Sequence, residues 1–240
     1  MSEQKIAVVT GGSSGIGEAS ARALAQDGWK VVVAARRMDR LEVIAKEIGG
    51  LAVELDVTDD TSVATFAQTI ERELGHCHLL VNNAGGAHGL DPIEQSNVED
   101  WQWMYDTNVL GTLRVTKALL DMLVRDQGQI INMSSVAGFN AYAGGAGYNA
   151  AKFGVTAINK VMRIEFQDRP VRITEINPGR VQTDFSLIRF RGDEAAANAV
   201  YEGKLNLTAQ DIAESVRWVA SLPEHMNVDR IVITPRDQVI

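Results

Sequence analysis

The segment KIAVVTGGSSGIGEASARALAQDG (5–28) decides the fold of this chain. Its first six residues form a short apolar run rich in β-branched side chains, which is typical of a strand buried on both faces of a sheet. A glycine-rich loop follows, and residues 18–28 then show the apolar spacing of a helix that ends at Gly28. A strand, a glycine loop and a helix in this order predict a βαβ unit whose helix N-terminus can bind a pyrophosphate.

The same alternation continues along the chain. The other predicted strands cover residues 29–35, 51–57, 78–85, 128–135, 171–179 and 229–234. The other predicted helices cover residues 40–50, 62–74, 98–126, 148–167 and 210–223. This pattern predicts an α/β, single-domain Rossmann-type doubly wound fold over residues 1–240, with a parallel sheet of about seven strands flanked by helices on both faces. The long irregular stretch at about 180–207 is typical of a substrate lid.

Composition and charge exclude several classes of function. A formal net charge of -8 predicts no broad basic face, so we expect no nucleic-acid binding. The single cysteine, Cys77, suits a reducing compartment. The apolar run before the glycine loop is too short for a signal peptide or a membrane span. We therefore expect a cytoplasmic protein that does not bind membranes.

The glycine loop predicts a dinucleotide site. Its spacing, G-x-x-x-G-x-G, allows a tight turn and a close approach of backbone N–H groups to a pyrophosphate. The alternative is an ordinary turn between a strand and a helix. The residues expected to contact the cofactor here are Gly11, Ser13, Ser14, Gly15, Ile16 and Gly17.

The end of the second predicted strand indicates which dinucleotide is bound. An NAD site usually carries an acidic residue about twenty positions after the glycines. Here that place holds Arg36 and Arg37, with no carboxylate until Asp39. Two guanidinium groups suit the 2′-phosphate of NADP, although they could also be exposed charges leading into the next helix. Asp56 and Val57, after the third strand, are placed to meet the adenine ring.

Six short segments together resemble the short-chain dehydrogenase/reductase family. They are TGGSSGIG (10–17), NNAG (82–85), DTNVLG (106–111), NMSSVAG (132–138), YNAAK (148–152) and NPGRVQT (177–183). They occur in the family's order and spacing, including the thirteen residues from Ser135 to Tyr148. The similarity extends over essentially the whole chain.

The resemblance implies a catalytic tetrad. Tyr148 would be the general acid/base, Ser135 would hydrogen-bond the substrate oxygen, and Asn108 would hold a water that relays protons to Lys152. Lys152 would also hold the nicotinamide ribose. An ammonium at about 4 Å, one helical turn away, would lower the pKa of the tyrosine by roughly three. Ser134 is the rival for the role of Ser135; the alternative readings are a core asparagine and serines that cap a turn.

The resemblance also implies further cofactor contacts. One stretch would cap the nicotinamide, and a second turn would pack against the adenosine half. These residues are Pro178, Gly179, Val181 and Thr183 for the first, and Asn83 and Gly85 for the second.

Finer segments resemble the branch of NADP-dependent 3-hydroxy acid dehydrogenases. They are GLDP (89–92), VEDWQWMYDTNVLG (98–111), FSLIRFRGD (185–193) and LTAQDIAESVRWVASLPEHMNV (207–228). The resemblance implies reversible oxidation of a serine, allo-threonine or 3-hydroxyisobutyrate type of substrate by a homotetramer, or a dimer. Two alternatives remain: a carbonyl reductase for a bulkier ketone or natural-product aldehyde, and a protein that binds NADP without turnover.

A carboxylate substrate would need a cation near the lid. The candidates are Arg180, Arg189 and Arg191, and we favour Arg189 because it lies within a branch-like segment. The alternative is that Arg189 pairs with Asp193 or Glu194. Arg180 also stands where a small apolar residue is expected after Pro-Gly.

We predict no metal site. His76 and His78 flank Cys77 and would share one face of the strand predicted at 78–85. The sequence shows no obvious third ligand for them.

Overall fold

The computed structural model describes residues 4–240. Within this range the strands are β1 (Ile6–Thr10), β2 (Lys30–Ala35), β3 (Leu51–Glu54), β4 (Leu79–Asn82), β5 (Gln129–Met133), β6 (Arg172–Pro178) and β7 (Arg230–Ile233). The α-helices are α1 (Gly15–Gln26), α2 (Met38–Ile48), α3 (Asp60–Glu73), α4 (Val98–Tyr105), α5 (Gly111–Arg125), α6 (Ala146–Glu165), α7 (Phe185–Arg189), α8 (Glu194–Ala199) and α9 (Ala209–Ser221).

The strands form one parallel sheet in the order β3-β2-β1-β4-β5-β6-β7. The order reverses between β1 and β4. Side chains alternate along each strand, so that Val8 joins one core and its neighbour Val9 joins a second core on the opposite face. Helices cover both cores, and the predicted doubly wound α/β fold is therefore confirmed.

The helix predicted at 98–126 is not continuous. It is divided into α4 and α5 by a wide π-helical turn at Asp106–Leu110. The side-chain amide of Asn108 donates to the carbonyl of Met104, 2.7 Å away, and the hydroxyl of Thr112 donates to the carbonyl of Asn108, 2.8 Å away. Side chains that compete with the backbone for these carbonyls account for the widened turn.

The lid region contains more regular structure than the sequence suggests. Residues 180–207 include α7 and α8, which span five and six residues. Helices this short show too few turns for an apolar period to be visible. The Asp193 carboxylate accepts a hydrogen bond from the backbone N–H of Ala196 and caps α8.

None of the helices between residues 4 and 240 combines the length and apolar character needed to cross a bilayer.

Candidate active site

A cavity of about 1100 Å³ lies at the carboxyl ends of the strands, beside the reversal of strand order between β1 and β4. Doubly wound folds bind their ligands at this position. The predicted site residues that line the cavity are Gly11, Ser13, Ser14, Gly15, Ile16, Arg36, Arg37, Asp56, Val57, Asn83, Gly85, Ser135, Tyr148, Lys152, Pro178, Gly179, Val181, Thr183 and Arg189. Gly17 and Asn108 instead lie directly behind the wall, against Gly11 and Gly85.

The glycine loop is too crowded for any larger residue. A Cβ on Gly17 would lie 2.3 Å from the carbonyl oxygen of Gly11 and 2.5 Å from Nδ2 of Asn83. Gly11 itself has a φ of +65°. The Asn83 amide holds the loop by donating to the carbonyls of Thr10, at 3.0 Å, and Gly11, at 3.3 Å. Gly15 and Ile16 at the N-terminus of α1 line the cavity, and a helix N-terminus favours an anion such as a pyrophosphate.

Arg37 lies across the mouth of this loop. Its Nη2 donates to the hydroxyls of Ser13 and Ser14, each 2.8 Å away. Arg36 also lines the cavity wall. Two guanidinium groups and two hydroxyls beside a helix N-terminus fit a phosphate dianion, which supports a 2′-phosphorylated cofactor. The Asp56 carboxylate turns back to accept from the N–H and hydroxyl of Thr58, at 2.9 and 2.7 Å.

Tyr148 and Lys152 lie on the first turns of α6 and face the end of β5. The hydroxyl of Ser135 lies near the phenol of Tyr148 and acts to lower its pKa, while donating to the carbonyl of Pro178, 3.3 Å away. The ammonium of Lys152 donates to the carbonyl of Met133, 3.0 Å away, and lies 5.7 Å from the centre of the Tyr148 ring. Ser134 points elsewhere, with its hydroxyl 3.5 Å from the carbonyl oxygen of Lys152. This geometry favours Ser135 over Ser134 as the partner of the tyrosine.

Burial controls the protonation of both side chains. It raises the pKa of Tyr148 above its ordinary value, Tyr142 raises it further, and Ser135 and Arg189 act in the opposite direction. Burial also lowers the pKa of Lys152 to about 8, against the opposing charge of Glu175. Without cofactor the pKa of Tyr148 thus stays above its ordinary value, and its lowering by Lys152 in the complex with NADP stays a prediction. Loss of solvation outweighs nearby positive charge.

Asn108 is 1 % exposed and its side chain is fully engaged. Its Nδ2 donates to the carbonyls of Gly86, at 2.9 Å, and Met104, at 2.7 Å. A Cβ on Gly85 would lie 2.4 Å from Oδ1 of Asn108 and 3.6 Å from Nζ of Lys152. The asparagine therefore fixes the glycine turn that separates it from the lysine.

Glu175 is a charged group near the site that the sequence pattern did not single out. It lies in β6, is 1 % exposed, and accepts a hydrogen bond from the Thr156 hydroxyl on α6. The Arg230 guanidinium on β7 donates two hydrogen bonds of 3.1 Å to its other oxygen. The position of Glu175 inside the apolar strand 171–179 could have revealed it, because a charged residue in a buried strand needs a partner of opposite charge.

Arg189 is 9 % exposed and forms part of the cavity wall. Its Nε donates to the carbonyl of Gly89, 2.8 Å away, and its Nη1 donates to the hydroxyl of Tyr142, 3.0 Å away. Its Cζ lies 5.8 Å from the centre of the Tyr148 ring. Among residues 4–240 its hydrogen-bond partners are neutral, and no carboxylate forms an ion pair with it. The alternative pairing with Asp193 or Glu194 is therefore not observed.

The other two candidate arginines do have carboxylate partners. Arg191 donates to both oxygens of Asp100, at 2.6 and 2.7 Å. Arg180 donates to Asp237 at 2.7 Å. The structure thus separates the three: Arg189 faces the cavity with an unneutralised charge, and the charges of the others are balanced within the protein.

Several cavity residues were missed in the sequence. Tyr142, Leu90, Trp103, Phe185 and Gln238 also line the cavity. They come from segments far apart in the chain, and no local spacing links them.

The two histidines considered for metal binding meet a third group, Asp126, which the sequence did not reveal. They precede β4 rather than lying within it. Nδ1 of His76 is 3.0 Å from Oδ1 of Asp126. Nδ1 of His78 accepts a hydrogen bond of 3.1 Å from the backbone N–H of Ile6, so the proton of a neutral His78 is on Nε2. While that bond persists, His78 has no lone pair to offer a metal.

The fold and this constellation define a class, the dinucleotide-dependent oxidoreductases, in which a fixed tyrosine, lysine and serine meet the cofactor site. Within that class, the chain belongs to the short-chain dehydrogenase family, whose model, described as short chain dehydrogenase, matches residues 5–191.

Individual proteins show the same relationship. An uncharacterized oxidoreductase of Mycobacterium tuberculosis is 51% identical over 98% of this chain and 92% of its own length. An NADP-dependent 3-hydroxy acid dehydrogenase of Salmonella typhi is 40% identical over 97% of this chain and 96% of its own. The solved closed form of a serine dehydrogenase complexed with NADP+ superposes with a TM-score of 0.95 at 37% identity, covering 98% of this chain and 96% of that one.

Proposed function

We propose that this oxidoreductase interconverts a small 3-hydroxy acid, of the serine, allo-threonine or 3-hydroxyisobutyrate type, and its 3-oxo acid or semialdehyde. The observation that carries the proposal is the buried guanidinium of Arg189, which faces the cavity near Tyr148 without a carboxylate partner among residues 4–240. A buried positive charge without a counter-charge is stabilised when an anion binds beside it. A carboxylate held there places the hydroxyl-bearing end of a short substrate toward the tyrosine.

The cofactor is NADP, which is named in the two relatives and fits the two arginines at the glycine loop. When bound, it accepts or donates the hydride. We assign its binding to the loop, to the arginines, to the turns after β3 and β4, and to the stretch after β6. The assigned residues are Gly11, Ser13, Ser14, Gly15, Ile16, Gly17, Arg36, Arg37, Asp56, Val57, Asn83, Gly85, Tyr148, Lys152, Pro178, Gly179, Val181 and Thr183.

Tyr148 is the proposed general acid/base, because its phenol lies beside Ser135 and its ring lies 5.7 Å from the ammonium of Lys152, whereas the hydroxyl of Tyr142 is bound to Arg189. Ser135 holds the substrate oxygen and the phenol in one hydrogen-bonded group. Lys152 supplies positive charge behind the ring, and Asn108 fixes the Gly85 turn beside it. Burial raises the pKa of Tyr148 and so opposes formation of the phenolate. A positive charge nearby has the opposite effect, and bound oxidised NADP would supply one on its nicotinamide ring.

We further propose a cytoplasmic homotetramer. Leu113 on α5 and Phe153, Val161 and Ile164 on α6 expose apolar side chains on the outside of the protein. Trp218 on α9 and Val232 on β7 do the same on other elements. Exposed apolar side chains on several elements are available for more than one subunit contact, as a tetramer requires.

A carbonyl reductase for a bulkier ketone is the second candidate. The specific observation in its favour is the apolar wall near Arg189, to which Leu90, Phe185 and Ile188 contribute. A small acid would leave much of this wall uncovered.

The test is a panel of initial rates of NADP+ reduction with L-serine, D-serine, L-allo-threonine and 3-hydroxyisobutyrate. Neutral carbonyl compounds of small and large size are assayed with NADPH in parallel. We expect turnover of at least one 3-hydroxy acid, and a loss of about 10²- to 10⁴-fold in kcat for Tyr148→Phe. Turnover of bulky carbonyls with silence across the acids would overturn the proposal in favour of the second candidate.

Arg189→Met isolates the carboxylate contact. Loss of charge-assisted hydrogen bonds lowers kcat/KM for the acids by about 10- to 100-fold, with little change for neutral carbonyls. Arg191→Met is the matched control, because that arginine lies on the same lid but pairs with Asp100. Equal losses for acids and neutral carbonyls in Arg189→Met would show that the arginine shapes the lid instead of binding a carboxylate.

A further inference from the structure

Arg180 joins two segments that are far from it in the chain. Its Nε donates to Oδ1 of Asn206, at 2.9 Å, and its Nη2 donates to the carbonyl of Leu205, at 2.7 Å. The same Nη2 donates to Oδ1 of Asp237, at 2.7 Å, in the segment after β7. The arginine side chain is only 16% exposed. It therefore connects the end of the lid to residues that follow the last strand.

Asp237 completes this connection from the other side. Its second oxygen, Oδ2, accepts a hydrogen bond of 3.0 Å from the backbone N–H of Leu205. One carboxylate thus bridges Arg180 and the lid backbone, so that removal of either charged group leaves the other without its counter-charge.

The backbone of Arg180 is held as firmly as its side chain. Its N–H donates to Oε1 of Gln238, at 2.7 Å, and its carbonyl accepts from the N–H of Leu207, at 3.1 Å. A Cβ on the preceding Gly179 would lie 2.4 Å from the same Gln238 oxygen. The segment after β7 therefore packs directly on the proposed nicotinamide-capping stretch.

These contacts determine part of the cavity wall. Gln238, Val239 and Ile240 line the cavity, as does Lys204 at the end of the lid. Val239 and Ile240 have few packing partners of their own, being 94% and 47% exposed. Their position depends on Asp237 and Gln238, which Arg180 holds.

We infer that Arg180 is a positioning residue that fixes residues 237–240 and the end of the lid as one wall of the substrate cavity, and thereby sets the size of substrate accepted. The inference rests on the proposed site but not on the acid specificity. It also gives a role to the charged residue that replaces the small apolar one expected after Pro-Gly.

The experiment compares Arg180→Met and Asp237→Asn with the wild type, using one small and one bulky substrate. We expect KM for the small substrate to rise about tenfold, with kcat within about twofold of the wild-type value. The reason is that the hydrogen bond between Arg180 and Asp237 no longer holds the wall that confines the small substrate. KM for the bulky substrate changes little, so discrimination by size falls about tenfold. The Kd for NADPH and the melting temperature are measured alongside.

Two further variants provide controls. Arg236→Met removes an exposed arginine of the same segment and is expected to behave as the wild type. Arg180→Lys retains the charge and one bond to Asp237. Of the tenfold loss in discrimination by size, we expect this variant to recover at least about threefold.

Unchanged discrimination in a folded Arg180→Met variant would overturn the inference. Equal losses for both substrates, accompanied by weaker NADPH binding, would also overturn it, because the arginine would then support the fold generally. If the wild type turns over no 3-hydroxy acid, the proposed function fails by itself, and the size comparison proceeds with a small and a bulky neutral carbonyl.

Discussion

The two ends of the cavity are built in different ways. The phosphate-binding part of the cofactor end is made largely of backbone and of residues close in sequence, namely the glycine loop and Arg37, which is 23 positions from Ser14. The substrate end is made of side chains that meet across the chain: Arg189 bonds Gly89 at a separation of 100 residues, and Arg180 bonds Asp237 at 57. A loop that must approach a pyrophosphate constrains the sequence locally, whereas a substrate wall can be assembled from many segments.

The largest expected effect tests how rigid the cofactor end is. In Gly17→Ala the new Cβ would meet the Gly11 carbonyl at 2.3 Å, a backbone atom that cannot move without opening the loop. We expect the affinity for NADPH, measured by fluorescence titration, to fall more than about 100-fold, together with a loss of stability of about 1–3 kcal/mol.

Gly192→Ala is the matched change in the lid. Gly192 has a φ of +91°, but a Cβ there would meet nothing within 4 Å. We expect a modest strain of about 1–2 kcal/mol and normal NADPH affinity. If both variants bind NADPH equally well, the contrast between the two ends of the cavity is wrong.

A smaller effect is expected from Arg37→Ala, which sharpens the comparison within the cofactor end. The guanidinium that lies on Ser13 and Ser14 is lost, and with it one contact to a 2′-phosphate. We expect the preference for NADPH over NADH, measured as a ratio of kcat/KM values, to fall about tenfold. Arg40→Ala removes a half-exposed arginine that does not line the cavity and should leave the ratio unchanged.

An effect on stability rather than on binding concerns Lys152, which lies between the two ends. Its pKa in the folded chain, about 8, is below its ordinary value of 10.5, so burying the charged form destabilises the fold. That penalty is fully present below pH 8 and disappears as pH rises toward 10.5. Allowing for the lost bond to Met133, we expect Lys152→Met to increase the free energy of unfolding by about 2 kcal/mol at pH 7.

Urea unfolding at pH 7 and pH 10 measures this difference, with the exposed Lys160→Met on the same helix as control. The gain should shrink at the higher pH. A difference that is independent of pH would show that Lys152 is not buried as a charged group.

The fold and the cofactor end could be predicted from sequence because their determinants are local. Apolar strands, glycine loops and the placement of Arg36 and Arg37 each depend on a short window. The protonation state of Tyr148 could not be predicted, since burial is a property of the assembled fold and outweighs the neighbouring charge. The sequence also could not show that Arg180 and Arg191 pair with carboxylates and Arg189 does not, because this depends on where distant carboxylates lie in the fold.

The π turn at Asp106–Leu110 has a consequence for anyone redesigning this chain. Each residue of an α-helix rotates the next by about 100°, so deleting one residue from the wide turn would join α4 and α5 into a regular helix. The same deletion would swing Asn108 away from the Gly86 carbonyl, 2.9 Å from its amide, and release the turn that holds Gly85 beside Lys152. A design procedure that rewards only ideal helices would therefore erase the irregularity and the active-site geometry with it.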